Sequence, residues 1–87
     1  MLNLGIYAIY DAKSDSFDTP FFAANDLFAE RRFNLMLREN NSMMNIYKDE
    51  FTLYSIAKFI IATGEIVVES RKEIVSGKSI IIEIHPR

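Results

Sequence analysis

His85 is the only histidine in the chain, and no cysteine occurs in its 87 residues. A transition-metal site needs several nitrogen, sulfur or carboxylate ligands, and nothing completes such a set around His85. A serine–histidine–aspartate relay would also have to recruit His85, which precedes Pro86 and lies outside every predicted element. The sequence therefore offers no nucleophile with a base to activate it. Asp11, Asp15 and Asp18 are carboxylates of the kind that hold hard cations, but their spacing is not that of a calcium-binding loop. Turn formation accounts for them better, since aspartate and serine favour turns. Gly5, Gly64 and Gly77 are isolated, so no glycine-rich phosphate loop is present. The expectation is a protein that is not an enzyme and carries no metal or cofactor.

Basic and aromatic residues offer a second kind of chemistry. Single-strand binders combine a basic groove with rings on which bases stack. Arg31, Arg32, Arg38 and Lys58 are candidate phosphate contacts, and Tyr7 and Tyr54, with Phe59 beside them, are candidate platforms. Against this stands a net charge of −2, with 12 acidic residues and 10 basic ones. Phosphate contacts drive nucleic-acid affinity. On the residues alone, the rings are better read as core and the cations as solvated surface.

These residues must be positioned by a small scaffold. The length allows one domain, spanning 1–87. Residues 2–11 alternate, with Leu2, Leu4, Ile6, Ala8 and Tyr10 on one face and Gly5, Tyr7 and Ile9 on the other. Period two with bulk on both faces predicts a central strand. Residues 12–20 are polar and read as a loop, pinned to the core by Phe17, Phe21 and Phe22. Asn25 or Asp26 can cap a helix running to about Glu39. In it Ala29, Phe33, Met36 and Leu37 form one apolar stripe, while Leu27, Phe28 and Leu35 lie elsewhere on the cylinder. Residues 51–61 and 65–68 make a hairpin across the turn at 62–64. Polar residues 69–73 interrupt the pattern, 74–75 resume it briefly, and 79–84 read as a final strand. The fold class is α+β: an antiparallel or mixed sheet with one main helix packed on one face.

Hydrophobic residues make up 49% of the chain, a large share for so small an interior. The surplus points to a homodimer or higher oligomer, or to a protein partner, with Leu27, Phe28 and Leu35 as the interface candidates. Residues 1–4 show no basic region followed by an apolar core, so no signal peptide is expected. No apolar run reaches membrane-spanning length, and no membrane partner is expected.

One ordered set of residues is more specific than composition. Ile6-Tyr7-Ala8-Ile9-Tyr10-Asp11 precedes a polar loop and Thr19-Pro20-Phe21-Phe22. Asn25-Asp26, Ala29, Arg31 and Phe33 follow, then Tyr47, Asp49, Phe51, Leu53-Tyr54, Phe59 and Thr63-Gly64-Glu65-Ile66. This resembles the small non-structural ORF5 protein of microviruses, especially gokushovirus-like phages with circular single-stranded DNA. The resemblance implies a non-enzymatic accessory factor in the cytoplasm of an infected bacterium, binding single-stranded DNA in support of viral DNA synthesis. The chain departs from the family pattern at Ile60, where an acid is expected, and at Leu27-Phe28, where small or polar residues are ordinary. Both departures enlarge apolar surface. They suit self-association, or a phage or host protein partner, more readily than phosphate contact.

Overall fold

A computed structural model describes residues 3–39 and 42–78. Strand β1 (Asn3–Asp11) is the centre of an all-antiparallel sheet. Its partner on one side along its whole length is β4 (Phe51–Ile60). Its other edge is shared by two short strands, β2 (Ser16–Phe17) and β3 (Phe21–Ala23). The interruption between them contains Pro20, which has no N–H to give to the ladder. The segment expected as a loop thus carries β2 inside it. A four-residue turn ends at Asp15, whose φ of 55° an aspartate tolerates.

The long strand β5 (Glu65–Ser76) flanks β4. The two join through a turn at residues 61–64, where Gly64 at φ 79° donates its N–H to the Ile60 carbonyl. The polar stretch at 69–73 does not end the strand. Between the pairs Ser55↔Lys72 and Ala57↔Val68, β5 has three residues where β4 has only Ile56. This bulge lets the strand continue while its polar side chains remain exposed. The final strand expected at 79–84, and His85 after it, lie outside the described residues.

Helix α1 (Asp26–Arg38) begins where Asn25 Oδ1 accepts from the Phe28 N–H at 3.0 Å. A short helix α2 (Met43–Ile46), capped by Ser42, and a 3-10 turn (Lys48–Glu50) lead into β4. Asn45 Nδ2 donates to the Leu37 carbonyl at 2.8 Å and so satisfies one of the open acceptors at the end of α1.

The predicted stripe on α1 is the one that packs. Ala29, Phe33 and Leu37 are fully buried against Tyr7 and Ile9 of β1, Leu53 of β4 and Val75 of β5, with Met36 at the margin. This covers one face of the sheet. The other face, carrying Ile6, Ala8, Tyr10, Tyr54 and Ala57, has no helix on it among the described residues.

Candidate functional site

The covered face positions Tyr7. Its side chain is 2% exposed, and its hydroxyl donates to Asp26 Oδ1 at 2.6 Å. Lys72 Nζ lies 3.4 Å from Asp26 Oδ2. Tyr7 is therefore no stacking platform: β1's alternation turns it under the helix, and it ties the start of α1 to the sheet. Burial, and then the bond to Asp26, push its hydroxyl well above the usual tyrosine range. The Tyr7 hydrogen bond in turn holds the Asp26 carboxyl below its ordinary value, with Lys72 and Lys58 acting in the same direction against partial burial.

The sign of this linkage gives a first prediction. A depressed folded pKa means that the ionised Asp26 stabilises the native state above the unfolded value of about 4, and that this contribution fades as pH falls below it. Asp26 is half exposed, so Tyr7→Phe should cost only about 1–2 kcal/mol near neutral pH. The gap between wild type and variant in urea midpoint should narrow below about pH 4 as Asp26 is protonated in both. A gap that stays constant down to about pH 2 would show that the bond carries no charge assistance.

The other predicted nucleic-acid residues do not converge. Arg31, Arg32 and Arg38 are exposed on α1. The Arg31 guanidinium lies 5.8 Å from the Phe28 ring centre, and that of Arg32 lies 4.5 Å from Phe21. Lys58 pairs with Gly5 on the covered side and borders a hollow at the start of α1 together with Asp26 and Leu27. Tyr54 points the opposite way, onto the open face. Leu27, Phe28 and Leu35 are exposed at 63%, 46% and 67% on the outer surface of α1.

The open face brings together residues that lie far apart in the chain. Tyr10, Phe17 and Tyr54 form an aromatic cluster, with ring centres 5.0 Å apart for Tyr10–Phe17 and 5.6 Å for Phe17–Tyr54. Arg71 lies over two of these rings, 5.2 Å from Phe17 and 5.7 Å from Tyr54. The β5 bulge carries Arg71, and β2 supplies Phe17. Asp15 accepts a hydrogen bond from the Tyr10 hydroxyl, which raises that hydroxyl's pKa. Phe17, expected to pin a loop to the core, instead packs here and is 37% exposed. The alternation of Tyr10 with Ile6 and Ala8 does place it on this face. Which face the helix covers is not readable from that alternation.

Beside the cluster runs an open trough of about 520 Å3, floored by Ile6, Ala8 and Ala57 and walled by Pro20, Ile66 and Val68. Asp18, Glu69 and Arg71 stand on its border. Such a surface can stack flat groups and bury apolar ones. Among the described residues, no three histidines or acids are grouped to hold a metal ion, and no helix is long and apolar enough to cross a membrane.

A family model described as Phage ORF5 protein matches residues 4–80. No curated protein and no solved structure matches the chain.

Proposed function

The chain belongs to the phage ORF5 protein family, and from that premise we propose that it is a non-enzymatic accessory factor that binds single-stranded DNA during phage DNA synthesis, through the aromatic end of its open sheet face. The observation that carries this reading is the cluster of Tyr10, Phe17 and Tyr54 with the Arg71 guanidinium across two rings. Rings on an open sheet face are a recurrent way to hold unstacked bases, and a stacked arginine adds a cation near the phosphate. Of the tyrosines expected from the sequence, Tyr54 remains, whereas Tyr10 and Phe17 take the place of the buried Tyr7.

Charge sets the character of the binding. Asp15, Asp18 and Glu69 surround the single arginine. Few phosphates can be neutralised there, so stacking must dominate. Anisotropy of a labelled oligothymidylate should then report binding whose logarithm falls with log salt at a slope of about −1. Tyr54→Ala and Arg71→Glu should each weaken it by about tenfold or more. Reversing Arg31 and Arg32 together should have less effect. Binding lost only with the helix arginines would move the site to α1 and overturn the assignment to the sheet.

The apolar trough favours a second reading, in which this face receives a protein and no nucleic acid. An absence of any anisotropy change at low salt, with the chain folded, would select it.

A further inference from the structure

We propose that residues 79–84 of this chain dock on helix α2 and cover the apolar side chains that α2 leaves in solvent. This stands apart from the DNA reading, which uses the open face of the sheet.

Helix α2 has two sides. Met44 packs against the core cluster, and Asn45 bonds to the end of α1. Met43, Ile46 and Tyr47 do not share that burial, and stand 69%, 60% and 47% exposed. Spacings of three and four residues put Met43 beside both of the others, so the three make one apolar patch on a single turn of helix. A helix of four residues gains little from its own hydrogen bonds and depends on what packs against it.

What covers the patch follows from where β5 delivers the chain. Ser76 pairs with Thr52 at the start of β4. At Gly77 the backbone runs so close to the Lys48 carbonyl that a Cβ would overlap it, and that Cβ would lie 3.2 Å from the Phe51 carbonyl oxygen. Ser76 Oγ accepts from the Lys78 N–H at 3.1 Å. The chain therefore leaves β5 against the 3-10 turn that directly follows α2 and Tyr47. The next six residues are Ser79-Ile80-Ile81-Ile82-Glu83-Ile84, with four isoleucines and one charge. Burial of such side chains is favourable wherever an apolar surface lies within reach. Three residues of extended chain carry Ile80 about 10 Å from Gly77, enough to lie on α2. The trough on the open sheet face is a poorer match. Ala57 on its floor is five residues along β4 from Thr52, about 17 Å away, so most of the run would first have to cross Tyr54 and Arg71.

The chain has no cysteine, so an introduced pair can form only one intrachain disulfide. Ile46→Cys is combined with Ile80→Cys and, separately, with Ile82→Cys in the full chain, and Val68→Cys with Ile82→Cys serves as the trough control. Mild oxidation at low protein concentration is followed by loss of free thiol and by mass. At least one Ile46 pair should close about tenfold or more faster in native buffer than in concentrated urea, because docking raises the effective concentration of the two thiols. The Val68 pair should show no such gain. A second measurement needs no cysteine. At 60% exposure, Ile46→Ser should leave the urea midpoint unchanged if nothing covers it. With the segment docked it should lower the midpoint. Ile80→Ser, Ile81→Ser and Ile82→Ser made together should lower it too, and all four changes should together cost less than the sum of the two. Ile46 pairs that close no faster than in urea, a gain at Val68 instead, or disulfides between two copies would each overturn the proposal. So would an unmoved midpoint or strictly additive costs. Tyr54→Ala should leave both readouts unchanged whatever it does to DNA binding, which separates failure of this inference from failure of the functional one.

Discussion

Phe33→Ala should cost about 3–5 kcal/mol of unfolding free energy. Phe33 is 0% exposed at the middle of α1, with Ala29 one turn before it and Leu37 one turn after, and it packs in the cluster with Tyr7, Ile9 and Leu53. Removing the ring loses its transfer energy and leaves a void. The sheet beneath, hydrogen-bonded on both sides of β1, cannot collapse to fill it. At roughly 0.05–0.15 kcal/mol per residue, a chain of this length has a total stability of about 4–13 kcal/mol. The substitution therefore removes a large fraction of it. Urea denaturation followed by circular dichroism would report the change in midpoint. Leu35→Ala on the same helix, at 67% exposed, should stay within about 0.5 kcal/mol of wild type. Equal costs at the two positions would mean that α1 does not sit on the sheet by this stripe.

That contrast is legible in the amino-acid order alone, because it rests on helical periodicity and a cap at Asn25 or Asp26, of which the structure uses Asn25. The strands are legible where period two is clean. The alternating span at 2–11 contains β1, and the apolar hairpin strand read at 51–61 contains β4, whose alternation is broken by a bulge at Ile56. Two failures share a cause. The polar run at 69–73 reads as a break because propensity cannot see a bulge, yet β5 crosses it as an exposed edge strand with three residues set against one. Phe17 reads as a core anchor because an apolar residue in a polar loop suggests burial, yet its partners are Tyr10 and Tyr54 on the far side of the sheet. The site raises a question of the same kind. Alternation sorts Tyr7 and Tyr10 onto opposite faces correctly, but nothing local says which face a helix will cover. Tyr7 therefore stands among the candidate platforms when it is a tether, and Tyr10 escapes notice. Arg71 cannot be joined to those rings by sequence at all, since only the register of β5 on β4 brings it there.

The tether explains a glycine, and the glycine supplies the second large effect. Gly5→Ala should destabilise the domain by about 2–4 kcal/mol. Gly5 and Tyr7 lie two apart on the covered face of β1, and the Tyr7 ring is laid back over Gly5 on its way to Asp26. A Cβ at Gly5 would come within 2.6 Å of Tyr7 Cζ, closer than carbon atoms tolerate. Gly5 is buried in the strand, so the backbone has little room to retreat. The ring must move instead, and the 2.6 Å hydrogen bond to Asp26 goes with it. The cost then combines steric strain, typically about 1–3 kcal/mol, with the loss of a bond to a charged group. A double-mutant cycle isolates this account. Tyr7→Ala removes the ring, so Gly5→Ala made in that background should cost less than about 1 kcal/mol, and alanine's better strand geometry offsets part of it. The coupling between the two positions should therefore exceed about 1 kcal/mol. Costs that simply add would show that Gly5 is required for some backbone reason of its own, and that the path of Tyr7 to the start of α1 does not depend on it.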